Sequence, residues 1–380
     1  MPEDTLEDSR IRLMHGGPFY QLMSRLGLRS RIWRAIVFGL VCWAAPLLML
    51  LVSEGASGAG AFMQDWGAWA KFALAPVLFT LAERPIGFAV DECTSILFKT
   101  PLIASQSMND ARAALAGTRE RTTARLPEAS CLLVAVAASS LNLSGFLHGV
   151  GPGWAQSGGE LSIAGIWCVA VSNTLYWFLL TRLFWKHAIW VRFLSAIAGC
   201  RLRLAVTHPD GHGGLGFLGL YPAGYTLFTL GISCVAAAGI GHIMQQEPVT
   251  STLFTMVCVV WLVVVLLYYG LPLAGLATQI ARLKQKALMQ SMAKATDFER
   301  KTEHLLMGEN IIPDEAEPKT DEFRDVKPVY QAALKISALL INKHNVLPVL
   351  VPALLPLLAV GASYLSYSQL GPIAKRLLLL

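Results

Sequence analysis

Charge is what this sequence has least of. Asp, Glu, Lys and Arg together supply 15% of its 380 residues, while hydrophobic residues supply 54%; soluble domains carry roughly a quarter charged residues. So little charge excludes an ordinary water-soluble globular chain, and a mean hydropathy of +0.51 points to a membrane protein. Paired-cysteine chemistry is lacking too. The seven cysteines include no Cys-x-x-Cys pair, which excludes a zinc ribbon and a thioredoxin-like motif, and no disulfide framework is visible. Cys42, Cys131, Cys168, Cys234 and Cys258 fall in hydrophobic runs, Cys93 and Cys200 beyond them, and all seven read as small apolar packing groups. No hydrophobic run shows strand-type alternation, which excludes a transmembrane barrel.

What the sequence does have is apolar runs close to the length of a helix crossing the hydrocarbon core, roughly 20 residues. They are 32–52, 67–82, 129–146, 161–183, 217–244 and 253–277. A further run, 346–365, carries prolines at 348, 352 and 356, one per turn, and each removes a backbone donor. Such a segment either crosses with neighbours satisfying the freed carbonyls or re-enters the membrane. The expected fold is all-α, a polytopic transmembrane helix bundle of six spans plus this Pro-rich seventh or re-entrant segment, with cytoplasmic helical extensions. The expected layout is a cytoplasmic N-terminal segment 1–31 and a six-span bundle 32–277 that includes a cytoplasmic helical segment 86–125. Cytoplasmic helices 278–345 with an acidic linker 307–328 follow, then a Pro-rich membrane segment and interfacial tail 346–380.

The net charge of +6 would raise nucleic acid as a partner in a soluble protein, but here the basic residues follow the membrane instead. All of the Lys and Arg except Lys71, Lys375 and Arg376 lie before the first run or in its first turn, after the second, at or after the end of the fourth, or between the sixth and seventh. The alternate loops 53–66, 147–160 and 245–252 hold none. The positive-inside rule then predicts a cytoplasmic N-terminus, with the lipid bilayer as the main partner and no nucleic acid. Residues 1–30 are polar and carry Glu3, Asp4, Glu7 and Asp8, so no cleavable signal peptide is expected and the first span serves as its own signal-anchor. The external loops are short and rich in Gly and Ser, too small for a receptor domain.

The most distinctive stretch joins the fourth and fifth runs: Thr207, His208, Pro209, Asp210 and His212 stand beside Gly211, Gly213, Gly214, Gly216 and Gly219. Two imidazoles and a carboxylate at alternate positions suit a divalent metal. Glycines leading into a helix N-terminus suit an anion or lipid phosphate, and Pro-Asp-Gly is also ordinary turn chemistry. These three readings stay open, and no cofactor is assigned. The run Thr207–Leu218 resembles a loop found between two hydrophobic spans in a group of uncharacterised multi-pass inner-membrane proteins of bacteria, written Thr-His-Pro-Asp-x-x-Gly-Gly-Leu-Gly-Phe-Leu, and matches it at every fixed position. The Pro-interrupted tail 347–358 is a second similarity. The resemblance implies a bacterial inner-membrane location and no particular activity.

Polar residues inside the runs are the other candidates, since an amide or charge in hydrocarbon usually faces the bundle interior. Glu83 and Arg84 close the second run, placed to pair with each other or with a neighbour. Asn142 lies in the third and Asn173 in the fourth. In the fifth, Tyr221, Tyr225, Thr229 and Ser233 recur every four residues, continued by Ala237 and Gly241, so the fifth run is expected inside and the Val- and Leu-rich sixth against lipid. His148, His187, His208 and His242 fall near span boundaries rather than within the bundle, which argues against haem. Three functions fit: a channel or transporter, the favoured reading; a sensor or scaffold that binds a cytoplasmic partner or a second copy through its cytoplasmic helices; and a membrane-bound enzyme or lipid-headgroup-binding protein using His208, Asp210 and His212.

Overall fold

The computed structural model of the chain describes residues 10–148, 151–157, 160–246, 249–312, 325–340, 343–365, 371–373, 375 and 377. Among the described residues, seven helices are long and apolar enough to cross a membrane: Arg31–Ser53, Trp66–Lys99, Arg125–Phe146, Ile163–Ala198, Gly216–Gln246, Ser251–Met307 and Asn345–Tyr364, numbered the first to seventh spans in chain order. They form an all-α polytopic bundle of an integral membrane protein. The acidic linker expected at 307–328 lies mostly outside the described residues, as do Glu3, Asp4, Glu7, Asp8 and Arg376.

Apolar run length located every span but understated three of them. The second span continues past residue 82 to Lys99, and after a short turn a separate helix, Met108–Thr123, leads to the third. The stretch 86–125 is therefore divided between helices: 86–99 continues the helix of the second span and Met108–Thr123 is separate. Likewise the fourth span runs on to Ala198 rather than ending at 183, which places Arg182, Lys186 and His187 inside a packed helix. The sixth extends from the bundle as Ala274–Met307 and stops at Gly308, whose φ of 82° supplies the left-handed cap.

The Pro-rich segment is a continuous helix, Lys343–Tyr364, packed against the fifth and sixth spans. Pro352 has no N–H for the carbonyl one turn earlier, and the Thr226 hydroxyl donates to that Pro348 O at 2.9 Å. A neighbouring helix thus satisfies the freed carbonyl, as a crossing segment requires. Inside and outside fall as the residue types dictate. On the fifth span Tyr221, Tyr225, Thr229, Ser233, Ala237 and Gly241 are all buried, while Val260, Val263, Val264 and Leu267 of the sixth are exposed.

The 55–60 stretch is not a loop: Gly55–Gln64 is a helix. It folds back at the end of the bundle remote from the arginines and buries Phe62 against Trp154 in a small second core. Asp65 anchors that core, accepting from Gly67 N and Ala68 N as an N-cap and from Trp154 Nε1 at 2.8 Å. Close by, Gln156–Ser157 and Glu160–Leu161 pair as a short antiparallel hairpin.

Candidate functional site at the arginine-rich end of the bundle

The starts of the first and third spans bring charge to the same end as the later halves of the second and fourth. Glu83, 2% exposed, accepts from Arg34 Nη2 at 2.9 Å on one oxygen and from Arg182 Nη1 at 2.6 Å on the other. Arg182 also reaches Glu128 Oε1 through its Nε at 3.2 Å, and Arg31 Nε stands 3.9 Å from Glu83 Oε2. Four spans are tied by one buried ionic chain. One turn beyond Arg182 on the same face, fully buried Lys186 donates to Thr122 O at 2.7 Å.

The N-terminal segment closes this cluster from outside the spans. Ile11, Leu13 and Met14 are buried, and the short helix Pro18–Arg25 points its first turn at Glu128, which accepts from Phe19 N at 2.8 Å. A carboxylate suits a helix N-terminus. The Phe19 ring lies 4.8 Å from the Arg182 guanidinium, a cation–π contact. Gly17 makes the approach possible: its φ is 91°, and a Cβ there would meet Glu128 Oε1 at 2.7 Å. Burial first, then the adjacent Arg31 guanidinium, push the His15 imidazole below its ordinary value against the pull of Asp91.

Of the two candidates closing the second run, Glu83 lies in this cluster, while Arg84 is exposed. Arg31, Arg34, Glu128, Arg182 and Lys186 were missed by sequence reasoning, which treated the arginines and the lysine as flanking charges. The available signal was the i, i+4 spacing of Arg182 and Lys186 within an otherwise apolar helical pattern.

The His-Pro-Asp loop packs at the same end and resolves into a capped turn. The Asp210 carboxylate accepts from His212 N at 2.9 Å, from Gly214 N at 3.0 Å and from Gly216 N at 2.8 Å, and His208 Nδ1 stands 2.8 Å from its Oδ1. The amides of Gly214 and Gly216 open the 3-10 helix Gly216–Tyr225 that begins the fifth span. Burial alone would raise the Asp210 carboxyl, but the amides of Gly216, His212 and Gly214, with His208, outweigh it and hold the group below the usual carboxylate range. Gly213 and Gly214 have φ of 70° and 102°, and a Cβ on Gly214 would meet Leu102 at 2.8 Å. The chain returning after Lys335 clamps the loop: Ser337 N donates to Gly211 O at 2.9 Å, and His212 Nδ1 pairs with Ser337 O at 2.9 Å. His208, Asp210 and His212 therefore do not converge as metal ligands. Among the described residues no group of three or more His, Cys, Asp or Glu is placed to hold a metal ion.

Deeper in the bundle, three of the described spans contain a π-helical stretch. Leu40–Ala44 of the first span, Trp69–Leu74 of the second and Cys168–Asn173 of the fourth are π-helical, and each packs on the other two. A π turn loosens the i→i−4 ladder and turns carbonyls outward. Here the fourth span takes them up: Trp167 Nε1 donates to Val41 O at 2.9 Å and Ser172 Oγ to Cys42 O at 2.8 Å. Asn173 Nδ2 donates to Ser139 Oγ of the third span at 3.1 Å, and its Oδ1 is buried without a partner. Lys71 places its ammonium 5.5 Å from the centre of the Tyr176 ring.

The remaining candidates divide. Thr229 pairs with the Tyr269 hydroxyl at 2.8 Å, and Ser233 accepts from Trp261 Nε1 at 3.1 Å, so both fasten the fifth span to the sixth. Asn142 is only half-buried. Tyr225 is fully buried with an unpartnered hydroxyl, in a cluster with His187, Tyr221, Tyr268 and Tyr269. His187, expected near a boundary, is 3% exposed and stacks on Tyr268 at 4.0 Å.

Compared with family models, with curated proteins and with solved structures, the chain matches none. Its own geometry defines the class: an α-helical integral membrane protein with seven candidate spans among the described residues, an ionic chain buried at one end and π turns of three helices meeting below it.

Proposed function

We propose that this chain is a membrane transport protein, a channel or carrier, whose moving joint is the level at which the three π turns meet. The meeting of these turns carries the reading. Irregular backbone at membrane depth is tolerated where it is buried in protein or lines a pathway, and broken helices that face one another mark substrate sites in carriers. The open acceptor Asn173 Oδ1 and the cation Lys71 at this level supply polar groups that a solute can use. The Asp210 loop favours an enzyme less, because its carboxylate is already taken up by backbone amides.

Reconstituted in proteoliposomes, the protein is expected to raise conductance or uptake across a panel of small ions and solutes above protein-free vesicles. Asn173→Leu is expected to cut that flux about tenfold, a barrier change of roughly 1.4 kcal/mol, with insertion and helix content unchanged. Flux equal to that of empty vesicles, or unaffected by the substitution, would sink the transport reading.

The bacterial inner membrane is the location proposed, supported by the resemblance of Thr207–Leu218 and by the distribution of basic residues, with the N-terminus inside. In a chain stripped of its native cysteines, Glu160→Cys is expected to react with a membrane-impermeant maleimide in intact cells and Glu309→Cys to be spared; both positions are exposed. The reverse pattern refutes this orientation. One observation favours a second reading, a scaffold for a soluble partner or second copy: the far end of the projecting helix exposes Leu305, Leu306 and Met307 by 63–80%. Copurification of a stoichiometric partner that is lost in Leu305→Ser/Leu306→Ser supports it.

A further inference from the structure

The buried ionic chain does not balance. Three guanidinium groups, Arg31, Arg34 and Arg182, gather on Glu83, and Glu128 adds one further carboxylate. Guanidinium does not shed its proton in a protein, so a positive charge is left over even before Lys186 is counted. Among the described residues the surroundings do not remove it. Asp91 receives Arg12 N and has Arg10 beside it, and Lys186 is answered by a neutral carbonyl.

Hydrogen bonding shows a second deficit of the same sign. Both oxygens of Glu83 and both of Glu128 are occupied. Arg34 Nε and Arg182 Nη2, on side chains 2% and 1% exposed, are nevertheless buried without a partner, as is Arg31 Nε. Surplus positive charge and surplus donors in one place suit a negative group with several acceptor atoms. We propose that this cluster is a binding site for a phosphate-type oxyanion, entered past Arg31, the one member with substantial exposure, at 24%.

Forked guanidinium donors match phosphate oxygens, and Lys186 adds a point charge from the fourth span. Arg31 opens the first span, a position within reach of a phospholipid headgroup as well as of free phosphate. Neither source depends on the transport reading, because binding is measured on purified protein without any flux.

The test uses full-length protein in a non-ionic detergent. Thermal unfolding is followed during titration with inorganic phosphate at constant ionic strength, and native mass spectrometry records retained phospholipid. Arg31→Gln is the chosen variant, since Arg31 stands 3.9 Å from Glu83 and its loss breaks no buried hydrogen bond. A saturable rise in Tm with phosphate, weakened about tenfold in half-saturating concentration by Arg31→Gln, supports the site with free phosphate as ligand. No phosphate response, with an anionic phospholipid retained by wild type and lost in Arg31→Gln, supports it with a lipid phosphate as ligand. A rise that never saturates is the general effect of an excluded salt, and this result overturns the proposal. So does any response that Arg31→Gln leaves unchanged, or the absence of both phosphate response and bound phospholipid.

Discussion

Glu83→Gln is expected to lower the thermal midpoint of the detergent-solubilised protein by on the order of 10 °C, a larger loss than any other single substitution at this end of the bundle. The amide keeps the shape of the carboxylate and removes its charge, so Arg34 and Arg182 lose their shared counter-ion while both stay buried. Removing one partner of a buried pair costs about 3–5 kcal/mol, because the other charge remains desolvated and unpaired. Arg84→Gln is the control: one position along the chain and exposed, it is expected to leave the midpoint unchanged. Pairing Glu83→Gln with Arg34→Met removes one stranded cation and is expected to restore part of the loss. If Glu83→Gln and Arg84→Gln unfold at the same temperature, the ionic chain does not hold the four spans together.

Asp210→Asn is expected to cost about 2–4 kcal/mol: the carboxylate accepts from three backbone amides, charge-assisted bonds contribute about 1.5–3 kcal/mol each, and solvent access discounts the sum. An amide has one acceptor oxygen and turns an NH2 toward donors, so it cannot serve His212 N, Gly214 N and Gly216 N together. His208→Ala, a change at a side chain 43% exposed, is expected to have a far smaller effect. The two also separate by pH. The Asp210 carboxyl in the folded protein sits below its ordinary value, whereas in the unfolded chain it titrates near about 3.9. The folded state therefore favours the charged form. The resulting stability is fully present above the unfolded value and is lost as pH falls through the lowered folded value. Unfolding curves from pH 6 downward, run on wild type and Asp210→Asn, should converge at the acid end. A constant gap between them would show that the carboxylate charge is not what caps the turn.

Much of this fold was legible without coordinates. Run length located every span, because crossing a hydrocarbon layer is a demand on local composition. The four-residue recurrence of Tyr221, Tyr225, Thr229 and Ser233 announced the buried face of the fifth span for the same reason: helical periodicity is a property of consecutive residues. The Pro-rich segment was less legible. Its prolines stated that carbonyls would be freed, and only the fold shows Thr226 of another span meeting one of them.

Helix ends were misjudged where polar residues sit inside a helix. Arg182 and Lys186 read as the close of the fourth span because a charge at that position is too costly in lipid, and it becomes tolerable only when partners from other helices surround it. Those partners are distant in the chain: Arg34 and Glu83 are separated by 49 residues, Glu128 and Arg182 by 54, and Glu83 and Arg182 by 99. No local pattern encodes such pairings.

The His-Pro-Asp stretch stood out by its residue types, but the same letters served a metal site, an anion site or a turn. The direction of the Asp210 oxygens, set by backbone φ at Gly213 and Gly214 and by the return of Ser337 against the loop, puts three backbone amides on the carboxylate. The sequence by itself determined that the chain is a membrane-spanning helical protein, where its helices cross, and which face of the fifth is buried, since these follow from hydrophobicity and periodicity over neighbouring residues. Tertiary structure alone decided which charges are buried, that three π turns meet, and that among the described residues the buried cluster holds three guanidinium groups against two carboxylates. Each of these is a relation between helices, fixed by low-dielectric packing that brings together groups far apart in the chain.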